Sequence, residues 1–229
     1  MSETAIILLV AVVFLGQIVL VGALLWWAKK RDALLRAHCA AAGWSFATAR
    51  EGRRSVTRIA SPREGWELRI VVQRSAGGQS GSSTRHTEWR DPSLALPHGL
   101  SLLTLDIPAG KAADVERFAG MLGGSLGQAM LGRLLGSMAE EVPDLKAVPL
   151  DGSPALLMAT PGAEDALRPI ALHPALEASA LPRSARPAVI RSREGLALRL
   201  HGAIRRPDQI DALVALGRTL ATALRASEN

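Results

Sequence analysis

The chain has 229 residues, 48% of them hydrophobic and 3% aromatic, with a formal net charge of +6. Its length suits one ordinary domain or two small ones. A lone cysteine, Cys39, and the absence of Tyr exclude a disulfide-stapled secreted fold and a cysteine-rich zinc or iron–sulfur module, while abundant Leu, Val and Ile with 21% charged residues exclude a wholly disordered chain.

From Ala5 to Ala28 the sequence carries no charge, and Gln17 is its one strongly polar residue. As a helix this stretch is about 36 Å long, more than the roughly 30 Å hydrocarbon core of a bilayer. It therefore predicts a transmembrane helix over 5–28. Trp26 and Trp27 close the apolar run and Lys29, Lys30 and Arg31 follow, the pattern of an aromatic belt beside a cationic interface anchor. The tail 1–4 holds Glu3 and no basic residue. The positive-inside rule then predicts a single-pass protein of a bacterial inner membrane, with residues 1–4 outside and the C-terminal domain cytoplasmic. A cleaved signal is excluded by the missing basic n-region and the overlong apolar stretch. The bacterial assignment rests on 23 Arg against 4 Lys together with 38 Ala, the codon bias of a GC-rich genome.

Charge is unevenly distributed. Residues 29–74 hold 11 basic and 4 acidic groups, whereas 75–229 hold 16 of each. A basic collar of this kind predicts contact with anionic lipid headgroups. Nucleic-acid binding is disfavoured, because no basic stripe is interleaved with aromatics.

Helical patterning continues through 29–43 as a basic stalk, with Gly43 as its C-cap. Residues 44–229 form the main domain. Strands are predicted at Trp44 to Arg50, Ser55 to Ala60 and Trp66 to Arg74, the last alternating Leu68 and Ile70 with Glu67 and Arg69. A Gly/Ser loop over Ser75 to Ser83 leads to a return strand ending in Trp89 and Arg90. Another strand covers 100–107, followed by a helix from about Gly110. The segment 119–139 contains six Gly and one charge, Arg133; it predicts helices packed on the sheet, with Met130 and Leu134 as a possible interaction surface. Strands return at 154–160 and in a hairpin over 187–204. From Pro207 to Ala226, residues Ile210, Leu213, Val214, Gly217, Leu220 and Leu224 fall on one helical face. The predicted class is α+β: antiparallel sheet packed with helices, carried on the N-terminal helix and stalk.

Chemical motifs are sparse. Gly123 to Gly127 matches the GxSxG string around Ser125, but helical rather than strand sequence precedes it, which is the wrong context for a nucleophile elbow. The five histidines, His38, His86, His98, His173 and His201, form no local metal-binding spacing, and no Walker A or GxGxxG string occurs. No catalytic, cofactor-binding or metal residues are assigned, and no cofactor is expected. The expected function is non-enzymatic: an accessory or assembly subunit of a membrane protein complex, acting by protein–protein contact with an integral membrane partner. The alternatives are a tethered enzyme using Ser125 and a sensor domain for a small ligand.

Overall fold

The computed structural model describes residues 3–73, 84–104, 145–150, 155–181 and 186–228, with side chains of the first helix described at 14–17, 19–23, 26, 27 and from 29 onward. That helix, α1, spans Glu3–Ala41 without a break. It ends where Gly43 takes φ +72°, a left-handed conformation that costs glycine little. The amides of Ala42, Gly43 and Trp44 donate back to the carbonyls of His38, Ala40 and Cys39, which satisfies the last turn.

Among the described residues the chain then builds nine strands: β1 Ser45–Glu51, β2 Arg54–Ala60, β3 Glu67–Gln73, β4 Thr84–Asp91, β5 Ser101–Thr104, β6 Lys146–Val148, β7 Leu156–Ala159, β8 Ala188–Ser192 and β9 Gly195–His201. Two single-turn helices, α2 Arg168–Ala171 and α3 Ala175–Ala178, precede β8, and α4 Pro207–Glu228 closes the chain. All nine strands join one sheet in the order β1-β2-β3-β4-β9-β8-β5-β7-β6, and every pairing is antiparallel.

Register explains why this sheet has one principal core. A single row of apolar side chains crosses all nine strands, running Phe46, Ile59, Leu68, Trp89, Leu198, Val189, Leu103, Leu157 and Val148. All nine belong to or pack against the main core cluster. Side chains alternate across a strand, so the adjacent row faces the other way. That row changes character midway: Ser45, Ala60, Glu67 and Arg90 on β1 to β4 give way to Ala197, Ile190, Leu102, Met158 and Ala147 on β9 to β6. The second apolar half forms a smaller, separate buried cluster.

Helix α4 covers the principal face. Ile210, Leu213, Val214, Gly217, Leu220, Ala221 and Leu224 are buried beneath it, following the three-to-four-residue spacing of an amphipathic helix. Its closest approach is at Gly217, where an added Cβ would lie 2.4 Å from Cδ2 of the fully buried Trp89. A hydrogen bond and three ion pairs fasten the helix along its length: the hydrogen bond joins Asp211 to His38 at 2.8 Å, and the ion pairs join Arg218 to Glu64 at 2.9 Å, Arg225 to Asp91 at 2.5 Å, and Glu228 to Arg191.

Several expectations need correction. Among the described residues no helix is long and apolar enough to cross a membrane. A span takes about 20 consecutive apolar residues, and α1, which spans Glu3–Ala41, becomes charged at Lys29 to Asp32. The transmembrane helix over 5–28 is thus replaced by a long helix with no assigned span. The single-pass topology and the bacterial inner-membrane location, with an outside N-terminus and a cytoplasmic domain, lose their support with it. Strand β6 was not anticipated. The Gly/Ser loop, the helix from Gly110 and the segment 119–139 with Ser125, Met130 and Leu134 lie outside the described residues.

Gly217→Ala tests the closest packing contact. Alanine favours a helix by about 1 kcal/mol over glycine, but the added methyl meets a rigid buried indole. The variant is expected to lose about 1 to 3 kcal/mol, read as a lower urea midpoint by tryptophan fluorescence. A stability gain would show that Trp89 moves freely away from the helix.

Candidate functional site

Three surfaces stand out, and the first is α1. Its C-terminal end is built into the domain: Leu35 and Cys39 are buried in the main core, Asp32 receives a hydrogen bond from Arg205 at 3.0 Å, and His38 meets Asp211 at 2.8 Å. The Arg36 guanidinium lies 5.4 Å from the Phe46 ring centre. Burial, reinforced by Asp211, pushes the Cys39 thiol up to about 11, so it is protonated and unreactive at neutral pH.

Farther along, the helix carries bare apolar side chains. Phe14, Leu15, Val19, Leu20, Val21, Trp26 and Trp27 are each between 54% and 67% exposed. They point in every direction around the axis, because positions 14, 15, 19, 20 and 21 advance by 100° per residue. A helix apolar on all sides requires apolar surroundings on all sides. Lys29, Lys30 and Arg31 are exposed at the junction with the domain, and the Lys30 ammonium sits 5.1 Å from the Trp26 ring centre. Thus the structure brings the five expected interface residues, Trp26, Trp27, Lys29, Lys30 and Arg31, onto one exposed helical segment.

A second feature is a cleft of about 350 Å³ between α4 and the end of β4, lined by Glu64, Trp66, Trp89, Asp91, Arg218, Ala221, Thr222 and Arg225. Glu64 accepts hydrogen bonds from the Trp66 indole at 2.8 Å and pairs with Arg218. Asp91 accepts from the backbone amide and hydroxyl of Ser93 and pairs with Arg225. Both carboxylates are therefore matched by a guanidinium, and the cleft offers a ligand no excess charge. The buried Trp89 indole N–H has no hydrogen-bond partner among the described residues.

Third, the polar half of the sheet's other face carries a charge ladder. Glu88, only 6% exposed, lies 2.6 Å from Arg90 and 3.8 Å from Arg199, and Arg90 also reaches Glu194 at 2.5 Å. Glu67 binds Arg69 through two oxygens at 2.8 and 2.9 Å. That hydrogen bonding holds the Glu67 carboxyl below its usual range and the Arg69 guanidinium above its own. Burial lowers Arg199, with Glu88 opposing. Buried charges survive in a fold when paired this closely.

Two histidines distant in sequence meet on this face: His86 and His201 are directly opposed across β4 and β9. Sequence spacing gave no hint of this, since 115 residues separate them and only strand pairing joins them. Among the described residues no group of three potential metal ligands forms. His38 pairs with Asp211, His98 is exposed, and His173 accepts the Ala175 amide at 3.2 Å. No protein-family model, curated protein or solved structure matches the chain.

Burial, with Arg199 adding, pushes His86 down to about 4 from its ordinary 6.5. The unfolded chain therefore takes up this proton first as pH falls, while the folded protein resists it. The associated stability is complete above about pH 6.5 and is lost toward pH 4, on the order of 1 to 2 kcal/mol once residual solvent screening is allowed for. Urea titrations at pH 7 and 5 should show a drop in the native protein that is absent in His86→Gln. Equal drops in both would assign the acid sensitivity elsewhere.

Proposed function

We propose that this protein acts by protein–protein contact, as an accessory or assembly subunit of a larger complex, with α1 as the element its partner buries. The observation that carries the reading is the eight large apolar side chains, Leu34 included, left exposed among the described residues of a helix that is firmly rooted in a folded domain. Covering them is worth on the order of 10 kcal/mol before the costs of association, too much exposed apolar surface for a helix that functions bare. The domain supplies the rigid mount through Leu35, Cys39 and the Asp32–Arg205 and His38–Asp211 pairs.

An apolar groove on a partner would cover these side chains, and an integral membrane protein is the partner class we favour. The cationic group Lys29, Lys30 and Arg31 would then meet anionic lipid headgroups bordering that partner, each near-surface charge adding about 1 kcal/mol. Specificity in this arrangement comes from the domain, which α1 holds at a fixed distance from the contact.

Purification under mild detergent should recover the chain with an integral membrane protein in fixed stoichiometry. The double substitution Val19→Glu with Leu20→Glu should abolish that recovery and leave cooperative unfolding of the domain unchanged, because both positions are exposed. Recovery of the native chain as a lone monomer, or a complex indifferent to the two glutamates, would remove the assignment of α1 as the contact.

A further inference from the structure

The sheet has two edges, and they differ in kind. Strand β6 is three residues long and begins with Lys146; short length and lysine are devices that discourage another strand from adding. Strand β1 has neither. It is seven residues long, SFATARE, with six of the seven exposed, and it contains no Pro, Lys or Gly. Among the described residues only β2 pairs with it. Half of the amides and carbonyls of an antiparallel edge strand point outward, which makes such an edge a template for strand addition.

We propose that this edge pairs with the same edge of a second copy of the chain, antiparallel about Thr48. A two-fold contact must be complementary to itself, and the sequence of β1 meets that condition. With Thr48 on the axis opposite its own counterpart, Phe46 faces Arg50, Ser45 faces Glu51, and Ala47 faces Ala49, each pair occurring twice. No like charges stand directly opposed. Thr–Thr pairs are favourable across strands, and guanidinium against an aromatic ring is the contact Arg36 already makes with Phe46 inside one copy. Moving the axis by one residue in either direction shortens the ladder from seven pairs to five, which fixes the register. The small Ala47 and Ala49 leave the other face of the junction unobstructed. The resulting sheet runs continuously through both copies.

The contact is smaller than a standard stable interface, so the dimer is a weak one, with an expected dissociation constant of about 10 µM. The test uses the full chain in mild detergent, donor- and acceptor-labelled at the C-terminus, with energy transfer followed over a concentration series. Thr48→Lys places two lysines face to face at the axis and should weaken association at least tenfold; Thr48→Asp should do the same. Mixing the two variants in equal amounts should restore it, because Lys then faces Asp. Thr48 is exposed, so the thermal midpoint of each variant should match that of the native chain; if either fails to fold, the double substitution Ala47→Lys with Ala49→Lys replaces it and must weaken association equally. The proposal is overturned by association that Thr48→Lys leaves unchanged, as contact through α1 would give. Failure of the mixed variants to recover, or no transfer up to about 100 µM, overturns it as well.

Discussion

The contact between Gly217 and Trp89 sets the geometry on which the domain depends. Trp89 lies in the middle of the apolar row that crosses the sheet, flanked by Leu68 on β3 and Leu198 on β9. With no side chain at 217, the backbone of α4 rests directly on the indole, closer than any Cβ would permit. The helix is thereby fixed in height above the sheet, and its flanking residues Leu213, Val214, Leu220 and Leu224 reach the core on either side. The indole N–H of Trp89 is buried with no partner among the described residues; a donor left unmatched in this way costs about 1 to 3 kcal/mol.

Polar contacts then orient what burial has brought together. The polar contacts of α4 reach α1, the β2–β3 connection, the end of β4 and strand β8. Arg191 is the most enclosed of these anchors: besides Glu228 it donates to the carbonyls of Leu94 and Ala166, both at 3.1 Å. Such pairs add little where they are exposed, yet each restricts how the helix can slide or rotate on the apolar row. Glycine at 195, with φ +106°, serves the same end at the β8–β9 turn. A Cβ there would lie 2.2 Å from the Asp91 carbonyl oxygen, so only glycine allows the hairpin to seat against the end of β4.

The same sheet also accounts for the two surfaces available to partners. Helix α1 leaves the domain from the end that Trp44 and Trp66 cap in a T-shaped pair with ring centres 5.1 Å apart, beside the open edge of β1. An apolar helical arm and an unprotected strand edge therefore project from neighbouring parts of one fold. On the readings proposed above, the arm would be bound through apolar area and the edge through backbone hydrogen bonds. Contact at one leaves the chemistry of the other free to act.

How much of this was legible in the sequence follows from how local each signal is. Helix α4 could be read directly, because the spacing of Ile210, Leu213, Val214, Gly217, Leu220 and Leu224 reports a face only a helix presents. The alternation in β3 likewise reports a half-buried strand. Strands β5, β7 and β8 gave weaker signals: both of their faces are buried, and uniformly apolar runs such as Leu156–Ala159 carry no period. Strand β6 is too short to show any pattern. The run over 5–28 illustrates the limit of composition, for an uncharged stretch specifies an apolar environment without specifying what supplies it. Pairing was decided by the tertiary structure alone. The nine-strand order, the meeting of His86 with His201, the burial of Glu88 between Arg90 and Arg199, and the seat of Trp89 under Gly217 all depend on register between segments distant in the chain. Sequence determines which face of each element must be buried; only the packed fold determines against what, because burial energy follows apolar area and does not distinguish one apolar neighbour from another.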